Sequence, residues 1–304
     1  MESVPPKLLS PGDRSEVVAA AASAAEGLVS AEEAARPATD APAPAELLPV
    51  IALGLEGIIS PNSERSRTAE EYRMIKRPLL QRAFAGELPP GAHQNVMMVT
   101  SSVAGEGKTF TSLNLAISIA MEMDRTVLLV DADLARPGLS KLLRVQELPG
   151  LTDRLLDPTM NLRGLLRRTD VPKLTLLPAG CRHKRSTELL ASKAMKDLLD
   201  ELANRYADRV IVFDSPPLLA TSEASVLAEH MGQICVVVES GRTPQYLVQE
   251  AIGLLQHKER VSLVLNKAKR DLLLGQGSYY YGYRDGRGYG YGYGYGREGA
   301  DAKG

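Results

Sequence analysis

Between Asn95 and Lys267 the sequence alternates short apolar runs with longer stretches of helical periodicity. The runs are Val96–Thr100, Thr126–Val130, Leu174–Leu177, Arg209–Phe213, Ile234–Val238 and Val261–Leu265. Helices are predicted near 107–122, 187–204, 223–231 and 243–256. A strand with one wet face would alternate apolar and polar residues, whereas near-continuous apolar runs belong to strands covered on both faces. Strands separated by helices pair in parallel. The pattern therefore predicts an α/β domain, a mostly parallel sheet with helices on both faces.

The ends of the chain read differently. Residues 1–50 hold 13 Ala and 7 Pro, a composition that buries too little apolar surface to fold. Residues 60–68 are turn-rich, so 1–67 is expected to be a largely disordered extension and linker. A helix follows over about Ala69 to Ala85, with Tyr72, Ile75 and Leu79 at helical spacing, and Pro78 should kink it or end its first half. Residues 68–268 then form the folded domain. Within 277–296 there are 8 Tyr and 8 Gly, which predicts a mobile tail over 269–304.

Charge and composition exclude several classes. Lys+Arg 36 against Asp+Glu 37 gives a formal charge of −1, which removes the broad electrostatic case for a nucleic-acid partner. The longest uncharged apolar run near the N-terminus, Leu47 to Leu55, falls well short of the roughly 20 residues a membrane span needs. No secretory signal is visible in the first thirty residues. The only cysteines, Cys181 and Cys235, and the four scattered histidines form no metal motif. A reducing cytoplasm is the expected location.

The first apolar run leads into Ser101-Ser102-Val103-Ala104-Gly105-Glu106-Gly107-Lys108-Thr109 and then a helix. A strand, a glycine-containing loop and a helix N-terminus together cradle phosphates, because backbone N–H groups and the helix dipole face the anion. Lys108 is placed to reach the β- and γ-phosphates and Thr109 to ligate Mg²⁺. Ser102 stands where the general G-x-x-x-x-G-K-[ST] pattern has its first Gly. Two further strands end in acids, one in Asp131-Ala132-Asp133 and one in Asp214-Ser215-Pro216-Pro217. Carboxylates at the C-terminal ends of parallel strands line the ligand crevice. Taken singly, each could merely cap a helix; with the loop they make a site for Mg²⁺ and ATP, a P-loop NTPase-type fold. Thr109 and Asp131 or Asp214 are the candidate metal holders, directly or through water. Asp133, two residues after Asp131 on the same face, is the candidate base, with outer-sphere support of the metal as its alternative.

These segments resemble the bacterial tyrosine kinases of capsular and exopolysaccharide synthesis. The likeness covers roughly residues 68–296: the Ser-Ser-x-x-Gly-Glu-Gly-Lys-Thr loop, Asp131-Ala132-Asp133-Leu134-Ala135-Arg136-Pro137, Asp214-Ser215-Pro216-Pro217, Glu188-Leu189-Leu190 and Asn266-Lys267. Many members carry Arg where this chain has Ala135. The Glu70-Glu71-Tyr72-Arg73-Met74-Ile75-Lys76-Arg77 stretch is similar to the family's oligomerisation helix, and Ile75-Lys76-Arg77-Pro78-Leu79-Leu80 is most like the exosortase-associated subset. The resemblance implies an ATP- and Mg²⁺-dependent tyrosine autokinase with catalytic Lys108, Asp133 and Asp131. Gly105, Glu106, Gly107, Lys108, Thr109, Phe110 and Asn266 would bind nucleotide. Tyr279, Tyr280, Tyr281, Tyr283, Tyr289, Tyr291, Tyr293 and Tyr295 would be phosphorylated between subunits, and Glu70, Arg73 and Lys76 would close a homo-oligomeric ring. It also implies a separate transmembrane activator or polysaccharide co-polymerase that recruits the protein to the inner face of the membrane, and a cognate tyrosine phosphatase. The eukaryotic His-Arg-Asp and Asp-Phe-Gly segments are absent. Two other readings share the scaffold. Partitioning or cell-division ATPases place a signature Lys where this chain has Val103, and a nucleotide-sensing module would have the fold without the transfer.

Overall fold

The computed structural model describes residues 47–61, 66–84, 93–205 and 208–268. The tyrosine cluster and the extension up to residue 46 lie outside the described residues. The chain enters helix α1 (Arg67–Ala83), then β1 (His93–Ser101), α2 (Lys108–Ala120) and β2 (Thr126–Asp131). Short helices α3 (Gly138–Leu142), α4 (Leu151–Leu156) and α5 (Leu162–Leu165) lead to β3 (Arg167–Arg168) and β4 (Leu174–Leu177). Next come α6 (Ser186–Leu190), α7 (Lys193–Arg205), β5 (Arg209–Asp214), α8 (Ser222–Ala228), β6 (Met231–Glu239), α9 (Gln245–Gly253) and β7 (Val261–Asn266).

The sheet has seven strands in the order β3-β4-β2-β5-β1-β6-β7. All pairs are parallel except β3 with β4. The two-residue β3 was not anticipated, being too short to leave a sequence pattern. Alternate side chains of each central strand enter opposite cores. Val96, Met98, Leu128, Val130, Ile211 and Phe213 pack with Leu198, Leu199 and Leu202 of α7. Met97, Val99, Val127, Leu129, Val210 and Val212 pack with Tyr72 and Leu79 of α1 and with Leu113 and Ile117 of α2. Burial on both faces is why these strands read as unbroken apolar runs. The chain departs from β1 toward β2 on one side and later crosses to β6 on the other, so the strand order reverses at β1. Ligands bind at such switch points, outside the carboxyl ends of the strands.

Two expectations change. Residues 47–61 are not part of a disordered extension. Leu48 makes a parallel bridge to Thr169, and the Asp170 carboxylate accepts the Ile51 and Ala52 N–H groups, each at 3.0 Å. The Ile59 N–H donates to Asn114 Oδ1 at 2.8 Å, while Val50 and Ile59 are buried. The packed body therefore includes residues 47–61, which lie before the expected start at residue 68. Of the two outcomes expected at Pro78, a kink or an end, the second does not occur: α1 runs through it to Ala83. Tyr72 and Lys76 before the proline and Leu79 and Ala83 after it are all buried, so tertiary packing carries the helix across the missing N–H.

Candidate functional site

Val99 of β1 lies beside Asp214 of β5, and Asp214 lies beside Asp131 of β2. This register brings both strand-end acids beneath the loop that leaves β1. Gly105 and Gly107 have φ of 93° and 96°, which disfavour any L side chain. A Cβ on Gly107 would also fall 2.2 Å from Asn266 Nδ2. Ser102 does not take positive φ, so a serine fits where the general motif has glycine. Its carbonyl accepts the Leu219 N–H at 3.1 Å. Helix α2 starts at Lys108 and aims its N-terminus into the loop.

Lys108 Nζ is 2.9 Å from Asp133 Oδ2 and 4.0 Å from Asp214 Oδ1. Burial opposes its charge, but the Asp214, Asp133 and Asp131 carboxylates outweigh that and hold the ammonium above the ordinary lysine value. Burial and the nearby Asp214 push Asp131 up to about 7, against the Ser140 N–H that donates to its Oδ2 at 2.7 Å. Burial likewise raises Asp214, opposed by Lys108 and by hydrogen bonds from Thr109 and Ser112. Asp133 Oδ1 accepts the Arg136 N–H at 3.0 Å.

The residues fit a magnesium ion. Asp214 Oδ2 is buried without a hydrogen-bond partner, and the raised pKa values of the neighbouring acids Asp131 and Asp214 mark two crowded, buried carboxylates whose charge a cation would offset. Among the described residues no three His, Cys, Asp or Glu side chains converge as a ready metal cage. Mg²⁺ keeps water and phosphate ligands and takes only one or two groups from the protein.

Three of the residues expected at the site make contacts within the chain. Glu106 is 1% exposed. Its carboxylate accepts the Val103 N–H at 2.8 Å, the Glu239 N–H at 3.2 Å and the Thr243 hydroxyl. Glu106 is thus a brace tying the phosphate loop to the end of β6. Two of its donors, Glu239 and Thr243, lie far away in sequence, so no local pattern could show them. Asn266 Nδ2 donates to the Glu106 carbonyl at 2.8 Å, and Lys267 Nζ, a residue not singled out for the site, donates to the Gly105 carbonyl at 2.8 Å. The Phe110 ring packs against Gly57. Glu106→Ala should strand these donors at about 1–3 kcal/mol for each one left buried and unpaired. It should weaken Mg–ATP binding about tenfold or more by titration calorimetry, with Glu106→Gln partly restoring it; unchanged binding in the Ala variant would remove the brace.

The helix expected to make ring contacts divides in two. Glu70 and Arg73 pair at 2.6 Å on the surface. Lys76 is only 5% exposed and is engaged within its own subunit, to the Ser118 carbonyl and to Glu122 Oε1, both at 2.6 Å. A positive charge at helical spacing reads as solvent-facing, and only the packing of α1 on α2 shows otherwise.

Comparison with known proteins agrees with this geometry. The AAA_31 family, described as an AAA domain, matches residues 94–266. Tyrosine-protein kinase ptk of Acinetobacter johnsonii is 34% identical over 152 residues, covering 50% of this chain and 20% of that protein. Tyrosine-protein kinase YwqD of Bacillus subtilis is 29% identical over 231 residues, covering 75% of this chain and 92% of that protein. The crystal structure of the VpsO kinase domain superposes with a TM-score of 0.54 at 31% identity, covering 66% of this chain and 92% of the other. The match therefore spans a fifth of one relative and nearly all of another. By the loop, the strand-end acids and these likenesses, the chain belongs to the P-loop family of bacterial tyrosine kinases of capsular and exopolysaccharide synthesis.

Proposed function

We propose that the chain is an ATP-dependent protein-tyrosine autokinase that phosphorylates the tyrosine cluster of a neighbouring subunit, and that this regulates exopolysaccharide or capsule polymerisation and export. The observation that carries the reading is the Lys108–Asp133 ion pair between the start of α2 and the segment that follows β2. A tyrosine hydroxyl ionises near pH 10 and needs a base when attacked at neutral pH. Lys108 moves to the phosphates when ATP arrives, which frees Asp133. The tyrosine oxygen then bonds to the γ-phosphorus, the bond to the ADP oxygen breaks, and the phenolic proton passes to Asp133. Thr109 and Asp131 or Asp214 would hold Mg²⁺, directly or through water, and the ion would supply charge neutralisation on the phosphates. Val103 occupies the position of the partitioning ATPases' signature lysine and instead donates its N–H to Glu106, which favours the kinase reading. Purified protein with Mg–ATP and a peptide of residues 277–296 should yield phosphotyrosine. ATP hydrolysis without transfer would favour the ATPase reading.

Assembly belongs to the same proposal. Glu70 and Arg73 offer an exposed charged pair for a neighbouring subunit in a ring. Glu70→Ala with Arg73→Ala should give monomers by light scattering and a reduced rate of cluster phosphorylation; unchanged assembly would sink the assignment. Among the described residues no helix is long and apolar enough to cross a membrane. We assign membrane recruitment to a separate transmembrane co-polymerase and dephosphorylation to a cognate tyrosine phosphatase.

A further inference from the structure

The loop between β4 and α6 carries Arg182, His183, Lys184 and Arg185 in succession, and it is pinned beside the crevice at both ends. At its start, the Ala179 N–H donates to Ser140 Oγ at 3.0 Å, and the Ser140 N–H donates to Asp131 Oδ2 at 2.7 Å. Two hydrogen bonds therefore connect the loop to a site carboxylate. Gly180 has φ of 84°, and a Cβ there would fall 2.3 Å from Asp153 Oδ2. That same oxygen accepts the Gly150 and Cys181 N–H groups. At its far end, the Ser186 and Thr187 hydroxyls donate to Glu223 Oε1. Glu223 lies in the first turn of α8, on the segment that follows Asp214. Between these anchors the Arg185 N–H donates to His183 Nδ1 at 3.2 Å.

Arg182, Lys184 and Arg185 are exposed. Among the described residues none of the three forms an ion pair. Three unneutralised cations thus sit on a loop hydrogen-bonded through Ser140 to Asp131, one of the acids of the crevice. The nucleotide's phosphates belong to the glycine loop and Lys108, so the charge on this loop suits a second anion that comes to the same crevice. The acceptor becomes such an anion as it reacts, since each phosphotyrosine carries about −1.5 to −2 charges. The acidic floor repels those charges, whereas arginine forks bind phosphate oxygens in charge-assisted pairs.

We propose that the Arg182–Arg185 loop docks phosphotyrosines already formed on the acceptor segment while a further tyrosine of that segment occupies the crevice. Phosphorylation of the cluster would then be successive, each product group helping to hold the next acceptor. An extended chain from Tyr279 to Tyr295 reaches about 55 Å, enough to occupy both places together. This inference rests on the autokinase reading for its purpose, but not for its test.

The test uses the full chain carrying Lys108→Met, so that nothing is transferred during the measurement. Fluorescence anisotropy is recorded with a labelled peptide of residues 277–296, unmodified or phosphorylated at Tyr293 and Tyr295. The phosphorylated peptide should bind about tenfold more tightly than the unmodified one. Adding Arg182→Gln, Lys184→Gln and Arg185→Gln should erase that preference, with circular dichroism confirming the fold. Equal binding of the two peptides, or a preference that survives the glutamines, would overturn the proposal. So would loop-dependent binding to phosphatidylserine vesicles without any preference for the phosphorylated peptide, which would make the loop a membrane contact. Since the readout is binding, a failed kinase assay on the unaltered chain would count against the autokinase reading separately.

Discussion

Replacing Lys108 by Met should lower ATP-dependent tyrosine phosphorylation by at least about 10²–10³-fold, the scale for losing one charge-stabilising donor from an enzyme site. Lys108 is the cation set at the start of α2 among three acids, and its own environment keeps it protonated. Methionine keeps the length and the apolar stem but leaves Asp133 without its 2.9 Å partner. The phosphates then face the acidic floor with no fixed positive charge. Quantitative mass spectrometry of phosphotyrosine, with circular dichroism as a control on folding, measures the effect. Labelling at the rate of the unaltered protein would remove Lys108 from the mechanism.

Asp214→Asn should have opposite effects on stability and function. Asp131 titrates at about 7 in the folded chain against an ordinary value of 3.8, chiefly through burial and the Asp214 charge. Between those values the folded state keeps a proton that the unfolded chain has released. The pair therefore costs stability as pH rises from about 4 to about 7, and the cost levels off above that. Removing the Asp214 charge relieves Asp131. Each pKa unit relieved is about 1.4 kcal/mol, and each kcal/mol moves Tm by about 2–4 °C in a protein of this size. Ligand-free Asp214→Asn should melt a few degrees higher at pH 7.5, with a flatter dependence on pH between 5 and 7. It should also lose most of its Mg²⁺-dependent ATP binding, because Asp214 is a candidate metal holder. A lower Tm at pH 7.5 would show that Asp214's bonds to Ser112 and Thr109 outweigh the repulsion.

What could be read from the sequence followed the range of the interactions involved. Val210–Phe213 announced its strand because both its faces are apolar and buried, and Leu174–Leu177 because three of its four residues are buried leucines. The glycine loop and the strand-end acids were visible because their chemistry needs neighbours in sequence, and the register of β1, β5 and β2 brings them together. The residues read differently all depend on partners far along the chain. Ile59 is held by Asn114, Lys76 by Ser118 and Glu106 by Thr243. The packing of residues 47–61 was hidden for another reason: the Ala- and Pro-rich composition of the first fifty residues masks the few large apolar side chains, such as Val50, that dock.

The central claim is transfer of phosphate to the tyrosine cluster of another subunit. It is tested most directly by mixing the unaltered chain with isotope-labelled Lys108→Met chain, adding Mg–ATP, and mapping phosphopeptides by mass spectrometry. The account predicts phosphate on Tyr279–Tyr295 of the labelled chains, which cannot phosphorylate themselves. Label confined to the unaltered chains would mean transfer within one subunit. Hydrolysis of ATP with no phosphotyrosine on either chain would contradict the kinase reading itself.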